Sequence, residues 1–300
     1  MNTLQVSTEI REAIIDQRPI VALESSFLSH GIPYPENVEV ALEAAENIRR
    51  NGAVPATIAL IDGQIKVGIT KQEIQMIASK VDVRKTSIQD LPHVLSLRHT
   101  GTTTIATAAY AARHAGIRFL SAAGLGGVHT DIGNHLDISN DLFTMAESNI
   151  CVVTSGIHPI LDTLKTLDLL EALGVPVYGY ETEHYPGFFN PATSIRVDSI
   201  TANHAAEIMQ MKDHLTLNQS IHIAAPLPAG KTLPEEHTTP FIHHTLQQMK
   251  DHHVSGKEVT NHWLSSFRSD KDILNAYKCI LLHNADITAK IASLYHQSTP

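Results

Sequence analysis

Glu24, Lys85, Asp137, Asp141 and His158 are the side chains whose types and surroundings best suit chemistry. Glu24 directly follows the apolar run Ile20-Val21-Ala22-Leu23. A carboxyl at the end of a buried strand is partly removed from water, which raises its pKa toward neutrality and suits it to general acid work. The same carboxylate serves equally well as a structural acceptor for loop amides. Lys85, ahead of Thr86-Ser87-Ile88-Gln89-Asp90, offers a cation to an anionic ligand, although an isolated lysine is more often a solvated surface charge. Asp137 and Asp141 flank Ser139 and Asn140. Carboxylates so spaced suit a hard divalent ion, while Ser139 or Asn140 suits the N-cap of a following helix. Capping is the better reading of these residues alone, and a metal would need Asp137 turned toward Gly124-Leu125-Gly126-Gly127. That glycine run lets backbone amides approach an anion, yet it lacks the G-x-G-x-x-G spacing and serves as well for close backbone packing. His158 ends the loop Ser155-Gly156-Ile157-His158, after the apolar run Cys151-Val152-Val153-Thr154.

Such residues need a frame, and the pattern supplies one. Ile20–Leu23, Ile117–Leu120, Cys151–Thr154, 175–178 and Ile221–Ala224 read as short strands that empty into polar or glycine-rich loops. Between them, Val40, Ala41, Ala44, Ala45 and Ile48 recur at helical spacing and stop at Asn51-Gly52. Asp62-Gly63 marks a tight hairpin, Thr70 with Glu73 a capping box opening a helix through Ser79, and an alanine-rich helix follows Gly101–Thr104 and ends at Gly116. A helix from about Ile160 to Leu173 completes a βαβ unit with 175–178. The expectation is an α/β fold: a mostly parallel sheet flanked by helices, α/β/α, in one large domain over residues 1–300, with a helical C-terminal part or appendage from about Thr238 broken at 254–258. Sheets of this kind bind ligands at the carboxyl ends of their strands, where Glu24, the glycine run and His158 all fall.

Bulk properties narrow the partner. The net charge is −9 and basic residues are scattered, so the electrostatic drive toward nucleic acid is missing and a small molecule is expected instead. No apolar run approaches the length that crosses a bilayer, and residues 1–18 lack the layout of a signal peptide. Cys151 and Cys279 sit in apolar runs, as expected of buried thiols in a reducing, cytoplasmic setting. Most of the 19 histidines crowd the tail without metal-ligand spacing and read as surface residues.

The segments Val21-Ala22-Leu23-Glu24-Ser25, Ser29-His30-Gly31, Gly52-Ala53-Val54-Pro55-Ala56-Thr57-Ile58-Ala59, Gly126-Gly127-Val128-His129, Asp137-Ile138-Ser139 with Asp141-Leu142, and Gly256-Lys257-Glu258 stand in one order along the chain. In that order they closely resemble the pseudouridine-5′-phosphate glycosidase family, which includes indigoidine-synthase-A-like proteins, from about Pro19 to Ala292. The resemblance implies reversible cleavage of the C–C glycosidic bond of pseudouridine 5′-phosphate to uracil and ribose 5-phosphate, in a homotrimer using a divalent metal such as Mn²⁺. It implies that Glu24 is the proton donor, that Lys85 and the backbone of Ile105 bind substrate, and that Asp137 binds the metal. It further implies that Ser139, Asn140 and Asp141 form a substrate-binding segment and that Asn284 is an active-site asparagine.

One position departs in kind. The family's nucleophilic lysine lies in a Ser-Gly-Ile-Lys-Ser-Ile-Leu-Asp-like motif, and this chain has Ser155-Gly156-Ile157-His158-Pro159-Ile160-Leu161-Asp162. A primary amine can attack the anomeric carbon and become an imine that holds the opened sugar; imidazole cannot form that neutral imine. His158 is left the roles of a general base near neutral pH or a transient imidazolium adduct. Lys165, two helical turns on, is too far to substitute. Ala225 and Asn261-His262 also replace family residues. The alternatives are a catalytically silent sugar-phosphate-binding or regulatory homologue, or a glycosidase for a different nucleoside.

Overall fold

The computed structural model describes residues 3–130, 136–254 and 256–297; Met1 and Ser255 of the expected break lie outside the described residues. Its strands are β1 Leu4–Val6, β2 Ile20–Leu23, β3 Val54–Ile61, β4 Gln64–Val67, β5 Arg84–Thr86, β6 Gly101–Thr103, β7 Phe119–Ser121, β8 Val128–His129, β9 Cys151–Thr154, β10 Leu161–Asp162, β11 Val177–Tyr180, β12 Asp198–Ile200 and β13 Ile221–Ala224. Eleven of them make one sheet in the order β1-β4-β3-β2-β7-β9-β13-β11-β12, with β6 bridging β3 and β5. Pairing is parallel except β3 with β4 and β3 with β6. The mostly parallel α/β fold expected from the strand and helix pattern is therefore the observed one.

The central strands carry no polar face, and their neighbours explain why. Val21 and Leu23, Phe119, Cys151 and Val153, and Ile221 and Ile223 pack into one core, while Ala22, Leu120, Val152 and Ala224 pack into a second. Alternate side chains of each strand thus enter opposite cores, which is why these strands read as unbroken apolar runs. The helix Lys271–Gln297 covers the first face with Glu36–Arg50 and Ala202–His214, and Ile105–His114 covers the second with Asn140–Ser148 beside it. The C-terminal part is therefore no appendage: the last helix fills the core with Ala285, Ile287, Ala289, Ile291 and Ala292.

Local signals hold where side chains enforce them. Asp62 and Gly63 both have positive φ in the β3–β4 hairpin, and the Thr70–Glu73 capping box opens Lys71–Ser79. The helix expected from Ile160 begins later, at Thr163, because Leu161–Asp162 first pairs antiparallel with Val128–His129 and the Asp162 carboxylate then caps the helix through Lys165 N–H. The strand expected at 117–120 is displaced to Phe119–Ser121, since Ile117 N–H still donates to Ala112 of the preceding helix.

Ile223 has no exposed surface. Ile223→Ala should lower the unfolding free energy by about 2–5 kcal/mol through the cavity it leaves. Leu164→Ala on the exposed surface should stay within about 0.5 kcal/mol, with urea titrations of both variants as the check.

Candidate active site

β2, β7 and β9 are neighbours in the sheet, so their carboxyl ends deliver Glu24, the glycine loop and His158 to one place. The two later loops then continue the parallel pairing beyond the strands: Ser155 N–H donates to Ala123, Leu125 N–H to Gly156 and His158 N–H to Leu125. Around them lies a cavity of about 330 Å³, large enough for a small metabolite. Glu24, Lys85, Ile105, Asp137, Ser139, Asn140, Asp141 and His158 all line it.

Glu24 is almost fully buried, and its Oε2 accepts from Ser26 N–H at 2.6 Å. Burial raises its pKa, against the pull of that hydrogen bond and of Lys85. Its carboxyl thus ties down one loop amide, the structural role, while remaining on the cavity wall. The loop is pinned from behind by Ser25, whose Oγ donates to the Ile58 carbonyl at 2.6 Å. Lys85 is half-buried. It stands on β5 at the cavity wall, where burial brings its ammonium down to about 8 despite the attraction of Glu24, Asp141 and Glu258.

The Asp137–Asp141 segment divides its labour. Ser139 is the N-cap of Asn140–Ser148, its Oγ accepting from Asp141 N–H at 3.2 Å, as the capping reading expects. Asp141 points back into the protein and accepts from Ala106 N–H at 2.8 Å and Gly126 N–H at 3.1 Å. Asn140 donates to Gln89 at 2.7 Å, and Ile105 begins the helix that Asp141 caps. The glycine loop therefore hands an amide to Asp141, and its glycines are needed for packing. A Cβ on Gly126 would strike Ser139 and Asp141, one on Gly127 Thr166, and one on Gly124 both Phe188 and the His158 ring.

Asp137 Oδ2 accepts from Gly256 N–H at 3.1 Å and lies 3.8 Å from His129 Nδ1, while burial lowers the His129 pKa. One carboxylate and one imidazole nitrogen fit a divalent ion whose remaining positions go to water and ligand oxygens, as hard cations commonly accept. Asp141 has both oxygens committed to backbone amides and does not extend that set.

Asn284 sits below the cavity and not on its wall. Fully buried on the last helix, it donates to the Ala122 carbonyl at 2.9 Å and accepts from Ser155 Oγ at 3.2 Å, fastening the ends of β7 and β9. Lys165 is half-exposed and pairs with Asp162 at 2.9 Å. His158 is buried at the cavity wall, its ring 5.1 Å from that of Phe188 and its Nδ1 3.3 Å from Trp263 Nε1. Burial, with the nearby Lys85 charge second, lowers its pKa to about 3. Such burial favours the neutral imidazole over the imidazolium near neutral pH. Trp263, Phe188 and Tyr277 were not picked out from sequence; the one tryptophan of the chain, beside the divergent Asn261-His262 pair, was the available signal.

A family model described as "Indigoidine synthase A like protein" matches residues 9–294. The chain belongs to that family. Pseudouridine-5′-phosphate glycosidases from Brachyspira hyodysenteriae and Geobacillus kaustophilus are each 39% identical, over 97% of this chain and 96% of the former and over 96% of this chain and 97% of the latter. Among solved structures, the prealnumycin C-glycosynthase AlnA in complex with ribulose 5-phosphate is 30% identical with a TM-score of 0.88, covering 99% of this chain and 98% of that one. An indigoidine synthase A-like protein from Thermotoga maritima is 26% identical with a TM-score of 0.86, over 96% of this chain and 95% of that one.

Lys85 gives this cavity a pH dependence. Its ammonium exists below about 8 and is lost above it, so affinity for inorganic phosphate should fall roughly tenfold between about pH 7.5 and 9.5. Calorimetric titration across that range checks this, and Lys85→Met should bind weakly with a flat profile.

Proposed function

We propose that the protein is a pseudouridine-5′-phosphate glycosidase that cleaves the C–C glycosidic bond reversibly, without an imine. The observation that carries the reading is the convergence of Glu24, Lys85, Ile105, Asp137, Ser139–Asp141 and His158 on one cavity, in a chain whose relatives named for this activity match it over nearly their whole length. AlnA, which makes C-glycosidic products by name and holds ribulose 5-phosphate, supports a sugar phosphate as ligand.

In the cleavage direction the C1′–C5 bond breaks, C5 of uracil gains a hydrogen, and C1′ of ribose takes the hydroxyl of a water molecule. Burial keeps a proton on Glu24 to a higher pH than an exposed carboxyl would, which equips it to donate that proton. Lys85 offers the cation for the phosphate, and the Ile105 backbone and Ser139–Asn140 segment bound the space beside it. Asp137, with His129 behind it, would hold the Mn²⁺ ion, which when bound supplies positive charge for ligand oxygens. With imidazole in place of the amine, the sugar is held by hydrogen bonds and charge rather than by a covalent link.

The reading extends to a cytoplasmic homotrimer acting on a small C-nucleotide. Among the described residues no helix is long and apolar enough to cross a membrane, and light scattering would report the subunit number.

Incubation with pseudouridine 5′-phosphate and Mn²⁺, followed by chromatography of uracil, tests the activity. Release by the natural protein, with kcat reduced about 10²–10⁴-fold in Glu24→Gln, is expected for a general acid. Tight binding with no uracil released would instead establish the catalytically silent alternative.

A further inference from the structure

The Trp263 indole N–H can only donate, so the His158 Nδ1 that it meets at 3.3 Å must present a lone pair. A neutral imidazole with an unprotonated Nδ1 carries its proton on Nε2. We infer that Trp263 is a positioning residue that fixes His158 in the Nε2–H form, so that the cavity wall presents an N–H donor and selects a ligand with an acceptor oxygen at that point. The inference deepens the proposed function and rests on the cavity being the substrate site.

Both rings are held from several sides. Trp263 has no exposed surface and is packed by Phe189, Phe241 and Phe267, the last edge-on at 4.9 Å between centroids. The His158 ring lies against Phe188 and packs over Gly124, where an added Cβ would come within 2.9 Å of its Cε1. Its backbone is fixed by Leu125 and by Leu161, whose N–H donates to the His158 carbonyl at 2.9 Å. Among the described residues, Trp263 Nε1 is the hydrogen-bond partner of the ring, and no protein acceptor engages Nε2.

Of the charged groups facing this space, the one that acts on the ring disfavours its protonation. Lys85 repels a second cation, while Glu24, Asp141 and Asp137 lie on other parts of the same wall and none forms an ion pair with the ring. With Nδ1 occupied and Nε2 protonated, the ring has no lone pair free for the ligand and therefore acts as neither base nor nucleophile. What it offers is a donor to a carbonyl, hydroxyl or ring oxygen of the sugar, held in place before the ligand arrives.

Long-range ¹H–¹⁵N spectra of the ¹⁵N-histidine-labelled natural protein, with His158 assigned by loss of its signals in His158→Asn, test the tautomer directly. The expected result is an unprotonated Nδ1 and a protonated Nε2, unchanged from about pH 5 to 8, and a shift at Nε2 when ribose 5-phosphate binds. A protonated Nδ1, or an imidazolium titrating in that range, would overturn the inference in the free protein whatever the activity. Calorimetry separates the donor role from mere packing: His158→Leu should weaken ribose 5-phosphate binding about tenfold, whereas His158→Gln, which keeps an N–H donor, should restore it to within about threefold. Equal losses in both variants would overturn the donor role. Trp263→Phe should allow the second tautomer, and an unchanged Nε2–H spectrum in a folded Trp263→Phe protein would remove Trp263 from the account. Absence of any ribose 5-phosphate binding by the natural protein counts against the proposed function, while the tautomer spectrum still decides the inference.

Discussion

The Asp141 carboxylate, buried and shared between the amides of Ala106 and Gly126, is the constraint on which the rest of the site depends. One oxygen caps the helix that starts at Ile105, where free N–H groups favour a negative charge, and the other draws in the glycine loop. Burial alone pushes this carboxyl toward its neutral form, and the two amides with Lys85 oppose that push. A buried carboxylate needs such partners. Because its own helix is capped by Ser139, the position of Asp141 also sets where Ser139 and Asn140 meet the cavity. Four separate parts of the chain are thereby fastened around one charge.

From that point the division between scaffold and chemistry becomes clear. The glycine loop suits an anion cradle or close backbone packing by sequence, and its close approach is to protein: Ser139, Asp141, Thr166 and the His158 ring occupy the space that side chains would need. Asn284 carries the same lesson. An asparagine matched to an active site turns out to stitch Ala122 and Ser155 together from below, so its influence on a ligand runs through the loops above it.

How much of this was legible in the sequence follows from how local each feature is. The Asp62-Gly63 hairpin and the Thr70 capping box depend on neighbouring residues and are found where the pattern puts them, and the strands buried on both faces are found within about two residues of it. The helix after His158 was placed too early because Leu161 and Asp162 are claimed by a strand thirty-odd residues away, a non-local pairing with no local signal. The Lys85 environment was hidden for the same reason, since the carboxylates that face it come from β2 and from Asn140–Ser148. The indole against His158 joins residues 105 positions apart, a contact that no local pattern announces.

On the family resemblance, His158 stands at the position of an amine that would permit covalent capture, and the proposed reading does without that capture. Low dielectric and a nearby ammonium keep the ring neutral, and an indole occupies one nitrogen. On the proposed reading, a cavity so built holds the sugar by hydrogen bonds and charge. Intact-mass spectrometry of the natural protein, reduced with borohydride during incubation with ribose 5-phosphate and uracil, tests this most directly. An unchanged protein mass is the predicted result, and a reduced pentose-phosphate adduct on any residue of the cavity, Lys85 included, would contradict it.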